Sequence, residues 1–385
     1  MMATDAPTSK PSLKLVANAS LTPSKPGFTI PCTATTTAPF CTTRHYCEGN
    51  TPMAVNTWGT KMADRFENGF GGLVAVVTGG GTGMGREFVR QLTAQGCDVA
   101  TCDVIAENLA ETIAICAADG NSGKILSHIA DVSNETQVLG FRDAVAAWRP
   151  HVNVLFNNAG IGGGGSIVEN SREQWDKTFG VCWFGVYYNT RAFMDLLLAA
   201  PFGHIVNTSS VNGFWASLGP NTPHSAYSAA KFAVKGFTEA LITDFRINAP
   251  TMRASVVMPG HIGTDIAINS SKLLGNDPAT MTADQLVAAR GRMARAGIDT
   301  ATVSDDDLRA FMAAGAQAFR DSAPMSAAEA SAFILASVQR GDWRILVGDD
   351  AVILDEMVRE NPTDAYLPDF HQKIQARGAL GAIAR

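Results

Sequence analysis

The stretch LVAVVTGGGTGMGREFVRQL, residues Leu73–Leu92, decides the fold. Its first five residues are all apolar, a glycine-rich turn follows, and Phe88, Val89 and Leu92 then recur at helical spacing. A short apolar run, a glycine-rich turn and a helical pattern together are typical of the start of a βαβ unit. The sequence therefore predicts an α/β protein whose first strand ends in this turn.

The glycine-rich turn also predicts a nucleotide site. Gly79, Gly83 and Gly85 follow Thr78 in the pattern TGxxxGxG, with Met84 between the last two glycines. Glycines let the backbone turn tightly and let a pyrophosphate approach closely. The helix that follows directs free N–H groups and its positive dipole end at the phosphates. The alternative is a flexible turn without a ligand.

The second predicted strand ends at an acidic residue that indicates which nucleotide binds. In CDVATCDV, Asp103 lies 18 residues after Gly85 (103 − 85). A carboxylate at this position accepts hydrogen bonds from the adenosine ribose and repels a 2′-phosphate, which favours NAD(H) over NADP(H). The alternative role is the N-cap of the next helix. Arg86 could favour NADP(H), but it follows the glycines and is expected on the helix face.

Two further strand ends fit the same plan. KILSHIADV places Asp131 and Val132 where an adenine edge would lie, and VNVLFNNAG places Asn158, Ala159 and Gly160 on the nicotinamide side. The alternative for NNAG is an ordinary strand-to-helix turn, because Asn and Gly are common turn residues.

Tyr227 and Lys231 are the candidate catalytic pair, four residues apart in YSAAK. Positions i and i+4 share one face of a helix, so the ammonium can approach the phenol. An ordinary tyrosine has a pKa of about 10, and a nearby cation lowers it. The pair therefore resembles a tuned proton donor and acceptor. The alternative is an amphipathic surface pair.

Five motifs occur in one order along the chain: TGGGTGMG, NNAG, NTSS, YSAAK and MPGHIGT. This is their order in the short-chain dehydrogenase/reductase family, which the chain resembles between residues 73 and 264. The resemblance implies a Rossmann fold and NAD(P)-linked oxidation of alcohols or reduction of carbonyls. It implies that Tyr227 is the general acid/base, that Lys231 lowers its pKa and binds the nicotinamide ribose, and that Ser210, rather than Ser209, holds the substrate oxygen. It also implies cofactor contacts from Pro259, Gly260, Ile262 and Thr264.

One position departs from the family pattern. Cys182 stands in V-C-W-F-G where the family has an asparagine that helps to hold a proton-relaying water. Cysteine is a weak donor and acceptor, so the proton relay is in doubt here. The alternative for Cys182 is a small buried apolar residue.

The organisation of the rest of the chain follows from its composition. Residues 1–61 are rich in Ser, Thr and Pro and predict a disordered or weakly structured leader. Residues 62–385 predict one Rossmann-type domain, a doubly wound parallel sheet of about seven strands in the order 3-2-1-4-5-6-7. Within this domain, we expect residues 265–324 to form a helical substrate lid. We expect residues 351–385 to form a C-terminal tail that reaches a partner subunit.

Composition excludes several functions. With a formal charge of −6 and no basic stretch, the chain is not expected to bind nucleic acid. No uncharged apolar run is long enough to span a bilayer. Its seven cysteines show no metal-ligating spacing, and those at 97, 102, 116 and 182 suit reduced thiols of a cytoplasmic enzyme. The acid-poor leader leaves organellar import as an alternative.

The leading hypothesis is an NAD(H)-dependent oxidoreductase that interconverts a secondary alcohol and a ketone. The expected substrate is apolar or aromatic, because the lid region is rich in Met, Leu and Phe. One alternative is an epimerase or dehydratase on the same scaffold, although those relatives carry TGxxGxxG loops. Another is a cofactor-binding scaffold protein without turnover. Family resemblance implies a homodimer or homotetramer.

Overall fold

The computed structural model describes residues 64–219, 222–295 and 297–379. The predicted leader, residues 1–61 with Cys32, Cys41 and Cys47, lies outside the described residues. The division into leader, domain, lid and tail stays a prediction.

Strands and helices alternate from Val74 onward. In chain order the elements are β1 (Val74–Thr78), α1 (Gly83–Ala94), β2 (Asp98–Asp103), α2 (Ala106–Ala118), β3 (Ile125–Ile129), α3 (Glu135–Trp148), β4 (Val154–Asn157), α4 (Arg172–Phe179), α5 (Gly185–Ala192), α6 (Met194–Leu198), β5 (Gly203–Thr208), α7 (Ser225–Asn248), β6 (Met252–Pro259), β7 (Ile262–Gly263), α8 (Ile266–Leu273), α9 (Ala283–Arg295), α10 (Asp305–Asp321), β8 (Met325–Ser326), α11 (Ala327–Arg340), β9 (Arg344–Val347), α12 (Asp349–Glu360) and α13 (Phe370–Ala376).

Seven strands form one parallel sheet in the order β3-β2-β1-β4-β5-β6-β9. This confirms the predicted order, with β9 as the seventh strand. The short strands β7 and β8 pair separately, Ile262 with Met325. Every residue of β1, β4 and β5 is buried, which is the pattern of parallel strands covered on both faces.

Helices cover both faces of the sheet and create two apolar cores. Along β1, Ala75 and Val77 pack into one core, whereas Val74 and Val76 pack into the other. This alternation follows from the two-residue period of a strand. The first core contains residues of α1, α2 and α11, and the second contains residues of α3, α6 and α7. The doubly wound Rossmann fold is therefore confirmed.

The helical segment between β4 and β5 is interrupted. Between α4 and α5 lies a π-helical turn, Gly180–Phe184, in which the N–H of Gly185 donates to the carbonyl of Gly180 five residues earlier. Cys182 lies at its centre. A π-turn adds one residue to the helical ladder and often marks a functional position.

The stretch between β7 and β8 contains α8, α9 and α10. Met281, Leu286 and Leu308 form a small buried cluster there, and Met293 and Met312 pack against it. Most of the Met and Leu side chains of this stretch therefore stabilise the stretch itself.

The C-terminal tail packs on its own chain. The indole N–H of Trp215 donates to the carbonyl of Ala365 at 2.7 Å, and the Tyr366 hydroxyl accepts from the N–H of Ala216 at 3.0 Å. Trp215 and Phe370 are buried in the same apolar cluster. In the described part of the chain, no helix is both long enough and apolar enough to cross a bilayer.

Candidate active site

The glycine loop after β1 is a cradle in which side chains do not fit. Gly79 has φ +71°, and a Cβ on it would lie 2.8 Å from the Cα of Ala159. A Cβ on Gly85 would stand 1.9 Å from the carbonyl oxygen of Gly79. A Cβ on Gly83, with φ +53°, would lie 3.1 Å from the Cβ of Thr264. The loop thus packs backbone against backbone, and α1 begins where it ends.

Thr78 joins this loop to the next strand end. Its hydroxyl oxygen accepts from the N–H groups of Asn158 and Ala159 at 3.0 and 3.1 Å. The ends of β1 and β4 are therefore held together, as a ligand crossing both strands requires.

A cavity of about 230 Å³ opens at the carboxyl ends of the strands. Most of the predicted cofactor residues line it: Gly79, Gly83, Met84, Asp103, Asp131, Val132, Asn158, Ala159, Gly160 and Thr264. We call it the nucleotide cavity. Its backbone cradle and the amino end of α1 fit a dinucleotide pyrophosphate.

The carboxylate of Asp103 stands at the end of β2 in this cavity. It accepts from the N–H of Gly81 at 2.9 Å and from the N–H of Ile105 at 3.1 Å. A carboxylate has about four acceptor positions, so two remain for ribose hydroxyls.

The guanidinium of Arg86 is occupied by contacts with Gly81 and with the helix α2. It donates to the carbonyl of Gly81 at 2.6 Å and pairs with Glu111 at 2.5 Å. The expectation that Arg86 sits on the helix face therefore fits its contacts.

Asp131 forms an ion pair with Lys177 at 2.7 Å, and both line the nucleotide cavity. Burial would raise the pKa of Asp131, but hydrogen bonds from Lys177 and Ser133 outweigh it and hold that pKa below its ordinary value. The carboxylate therefore stays ionised at neutral pH.

A second cavity of about 510 Å³ adjoins the first. Ser210, Tyr227 and Lys231 line this substrate cavity, with Pro259, Gly260 and Ile262 on another side. Five residues line both cavities: Met84, Asn158, Gly160, Thr264 and Ile266. A ligand seated in the nucleotide cavity would therefore border the cavity that Tyr227 lines.

Tyr227 and Ser210 line the same cavity, and the Ser210 hydroxyl acts on the phenol to lower its pKa in part. The Ser210 oxygen also accepts from the N–H of Asn212 at 3.1 Å. Ser209 instead donates to the carbonyl of Lys231 at 2.7 Å. This difference supports Ser210 as the serine that meets a substrate.

The pKa of Tyr227 is raised, opposite to the expected direction. Burial raises it most, the interaction with Cys182 adds to this, and the nearby Ser210 hydroxyl lowers it only in part. The phenol therefore keeps its proton at neutral pH.

Lys231 is buried one turn after Tyr227. Its ammonium donates to the carbonyl of Thr208 at 2.8 Å and lies 5.3 Å from the centroid of the Tyr227 ring. Burial lowers the pKa of Lys231, and the interaction with Cys182 opposes this. The i, i+4 spacing thus brings the two side chains together as predicted.

Cys182 is fully buried, and its thiol donates to the carbonyl of Ile161 at 3.2 Å. A Cβ on Gly160 would lie 3.8 Å from the Cys182 sulfur and 3.6 Å from the Lys231 nitrogen. The thiol is therefore a close neighbour of the catalytic candidates, although it does not line the substrate cavity. Thr78 and Gly85 likewise line neither cavity.

The site residues named from the sequence omit several residues that line the substrate cavity. Phe319 of α10 and Ser270 of α8 reach the substrate cavity from the predicted lid, and His224 borders it three residues before Tyr227. The i, i+3 spacing of His224 was a usable signal. No sequence signal pointed to the two lid residues, because their positions in the cavity depend on how the helices pack.

Comparisons with known proteins agree with this geometry. A family model described as short chain dehydrogenase matches residues 73–273. SadH of Mycobacterium tuberculosis is 37% identical over 211 residues, 55% of this chain and 74% of SadH. Levodione reductase of Leifsonia aquatica is 29% identical over 215 residues, 56% of this chain and 78% of that protein.

A solved structure shares most of the fold. The crystal structure of a short chain dehydrogenase/reductase from Burkholderia phymatum in complex with NAD matches with a TM-score of 0.59 and 28% identity. The match covers 78% of this chain and 97% of that one.

Proposed function

This chain belongs to the short-chain dehydrogenase family, and we propose that it is an NAD(H)-dependent oxidoreductase that interconverts a secondary alcohol and a ketone. One observation carries the proposal. Ser210, Tyr227 and Lys231 meet on the wall of one cavity, and that cavity shares residues with the cavity that Asp103 enters.

In ketone reduction, Tyr227, Ser210 and Lys231 each have a separate role in the proton transfer. The Tyr227 phenol donates its proton to the carbonyl oxygen, and the Ser210 hydroxyl hydrogen-bonds the same oxygen. The ammonium of Lys231 then stabilises the phenolate that Tyr227 becomes. When bound, the nicotinamide supplies the hydride for reduction or accepts it in oxidation. In oxidation the hydroxyl proton passes to Tyr227 in its phenolate form, which Lys231 and a bound, positively charged nicotinamide would favour against the effect of burial.

Cys182 replaces the amide side chain that the family has at its position. Its thiol is committed to the carbonyl of Ile161, so it adds no strong donor or acceptor to a proton relay. We propose that the chemistry proceeds without a side-chain amide there.

The preference for NAD(H) has three supports. Asp103 enters the nucleotide cavity with acceptor positions to spare, and a carboxylate there repels a 2′-phosphate. Arg86 is engaged with Gly81 and Glu111. The Burkholderia phymatum relative was solved with NAD.

The substrate is proposed to be uncharged. Among the described residues that line the substrate cavity, Lys231 alone carries a formal charge at neutral pH. Trp215 and Phe319 give the wall an apolar and aromatic character. A carboxylate or phosphate would find no cation other than Lys231, which already donates to a backbone carbonyl.

Replacing Tyr227 by Phe tests the function. We expect Y227F to lose about 10²- to 10⁴-fold in kcat against a panel of secondary alcohols and ketones, because it lacks the proton donor. NADH binding, measured by fluorescence titration, should stay near the wild-type value. Tyr187→Phe is the matched control, since Tyr187 lines neither cavity and stacks with Trp183.

Wild-type turnover in Y227F would overturn the mechanism. Absence of NADH oxidation by the wild-type enzyme with every carbonyl, alongside tight NADH binding, would favour the scaffold alternative.

We extend the proposal to self-association and location. Phe184 and Tyr187 on the α4–α5 segment and Phe232 on α7 are more than one third exposed, so these helices offer an aromatic surface to a second copy. A homodimer or homotetramer in the cytoplasm remains our prediction.

A further inference from the structure

His224 immediately precedes α7 and stands beside the catalytic candidates. Its ring centroid lies 4.8 Å from that of Tyr227, with the two rings tilted by 40°. It lines the substrate cavity and also an outer groove formed with Ile167, Val168 and Phe232. The imidazole therefore forms part of the partition between the reacting centre and the outside.

The fold fixes this position on both sides. The N–H groups of Ser225 and Ala226 donate to the carbonyls of Gly165 and Gly164 at 2.8 and 3.1 Å. The carbonyl of His224 accepts from the N–H of Ser228 at 3.1 Å. Both the preceding glycine loop and the first turn of α7 thus hold the backbone that carries the ring.

The imidazole has hydrogen-bonding capacity left over. Within the part of the chain that the structure describes, neither ring nitrogen is hydrogen-bonded to a protein group, although the ring packs on Tyr227. Burial lowers the pKa of His224 to about 4, so at neutral pH the ring offers one N–H donor and one acceptor. A polar side chain so placed on the wall of a largely apolar cavity is suited to binding a polar group of the ligand.

We propose that His224 hydrogen-bonds a second oxygen of the substrate, so that the enzyme prefers hydroxyketones or diketones over simple ketones. This inference rests on the proposed function, since it needs a carbonyl at Tyr227. The second oxygen is a hydroxyl or a carbonyl rather than a carboxylate, because the imidazole is neutral and the described lining holds no cation besides Lys231.

The test compares matched substrates. Cyclohexanones that carry a hydroxyl at carbon 2, 3 or 4 are compared with cyclohexanones that carry a methyl there, because the two groups have similar size. With the wild-type enzyme, we expect at least one hydroxyl isomer to exceed its methyl counterpart about tenfold in kcat/KM, the effect of one hydrogen bond.

The variant His224→Phe keeps a ring beside Tyr227 and removes both nitrogens. It should lose that tenfold preference, measured as the ratio of kcat/KM between each hydroxyl compound and its methyl counterpart. His224→Asn, which keeps a donor and an acceptor, should retain part of the preference. Thermal melting and NADH titration of both variants show whether fold and cofactor site are intact.

Three outcomes would overturn the role of His224. These are a wild-type enzyme with no preference for any hydroxyl isomer, a preference that persists in His224→Phe, and equal losses on both substrate series. Equal losses would mean that the ring only positions Tyr227. If none of the ketones caused the wild-type enzyme to oxidise NADH, the proposed function itself would be refuted.

Discussion

At the scale of single residues, Asp103 should control the choice of cofactor. Replacing it by Ala removes a charged acceptor worth about 1.5–3 kcal/mol, so we expect NAD(H) to bind about 10- to 150-fold more weakly. NADP(H) binding should fall less, because the repulsion of its phosphate is removed as well. Parallel titrations with both cofactors measure this.

Asp119→Ala is the control for the Asp103 variant. It removes a carboxylate that pairs with Arg90 and lines neither cavity. An unchanged ratio of NAD(H) to NADP(H) affinity in Asp103→Ala would show that the ribose assignment is wrong.

Sequence patterns identified the residues of the candidate site better than they identified its electrostatics. The i, i+4 spacing of Tyr227 and Lys231 is a property of any helix, so it could be read directly. The pKa direction of Tyr227 could not, because it depends on burial and on Cys182. The hydrogen-bonding choice between Ser209 and Ser210 likewise required coordinates.

At the scale of elements, the turn between β1 and α1 depends on Gly85. Gly85→Ala forces a Cβ against the Gly79 carbonyl, a backbone atom that cannot move aside easily. Overpacking of this kind costs about 1–3 kcal/mol, so we expect a lower melting temperature and weaker NADH binding. Both are measured on the same preparation.

Gly140→Ala is the matched substitution in another helix. Gly140 is exposed in α3, and a Cβ there meets nothing within 4 Å. It should raise stability by about 0.4–1 kcal/mol, because alanine loses less conformational entropy in a helix. If Gly85→Ala behaved like Gly140→Ala, the cradle would not be as tight as its geometry implies.

The elements themselves were predictable wherever one periodicity ran through the whole segment. Strand positions and α7 followed from apolar runs and helical spacing. The π-helical turn at Gly180–Phe184 could not be predicted in this way. Its backbone hydrogen bonds span one residue more than those of an α-helix, which leaves the spacing of the apolar residues nearly unchanged. The pairing of β7 with β8 was also missed, since two-residue strands have no period to detect.

At the scale of the whole molecule, stability should fall in mild acid because of His204. This side chain is 1% exposed at the start of β5, and its Nε2 lies 2.8 Å from the Ser255 hydroxyl oxygen. Burial lowers its pKa to about 3, with Arg65 and Arg253 acting in the same direction. The unfolded chain, with a histidine pKa of about 6.5, therefore binds the proton more readily than the folded one does.

The sign of the effect follows from that difference. The contribution of His204 is complete above about pH 6.5 and is lost as the pH falls toward 3. Between pH 8 and pH 5 it should amount to about 2 kcal/mol, from 1.36 kcal/mol per pH unit over roughly 1.5 units. His204→Asn should flatten this part of the stability curve in urea denaturation. An equally steep curve in the variant would contradict the assignment.

The topology could be predicted as a whole because strict alternation of strands and helices allows few parallel arrangements. The place where the tail packs could not be predicted, because Trp215 and Phe370 join it to the loop after β5 of the same chain. Its contact with a partner subunit stays a prediction. Its contact surface depends on where the loop after β5 stands in space.

The bond between Trp215 and Ala365 has a consequence for translation. Trp215 lines the substrate cavity, and Ala365 is synthesised 138 residues after Tyr227 (365 − 227). At about 5–20 residues per second, the ribosome needs roughly 7–28 s to make that interval. A nascent chain therefore contains its candidate catalytic side chains well before the segment that supports one wall of the cavity. It gains the complete cavity wall only late in its synthesis.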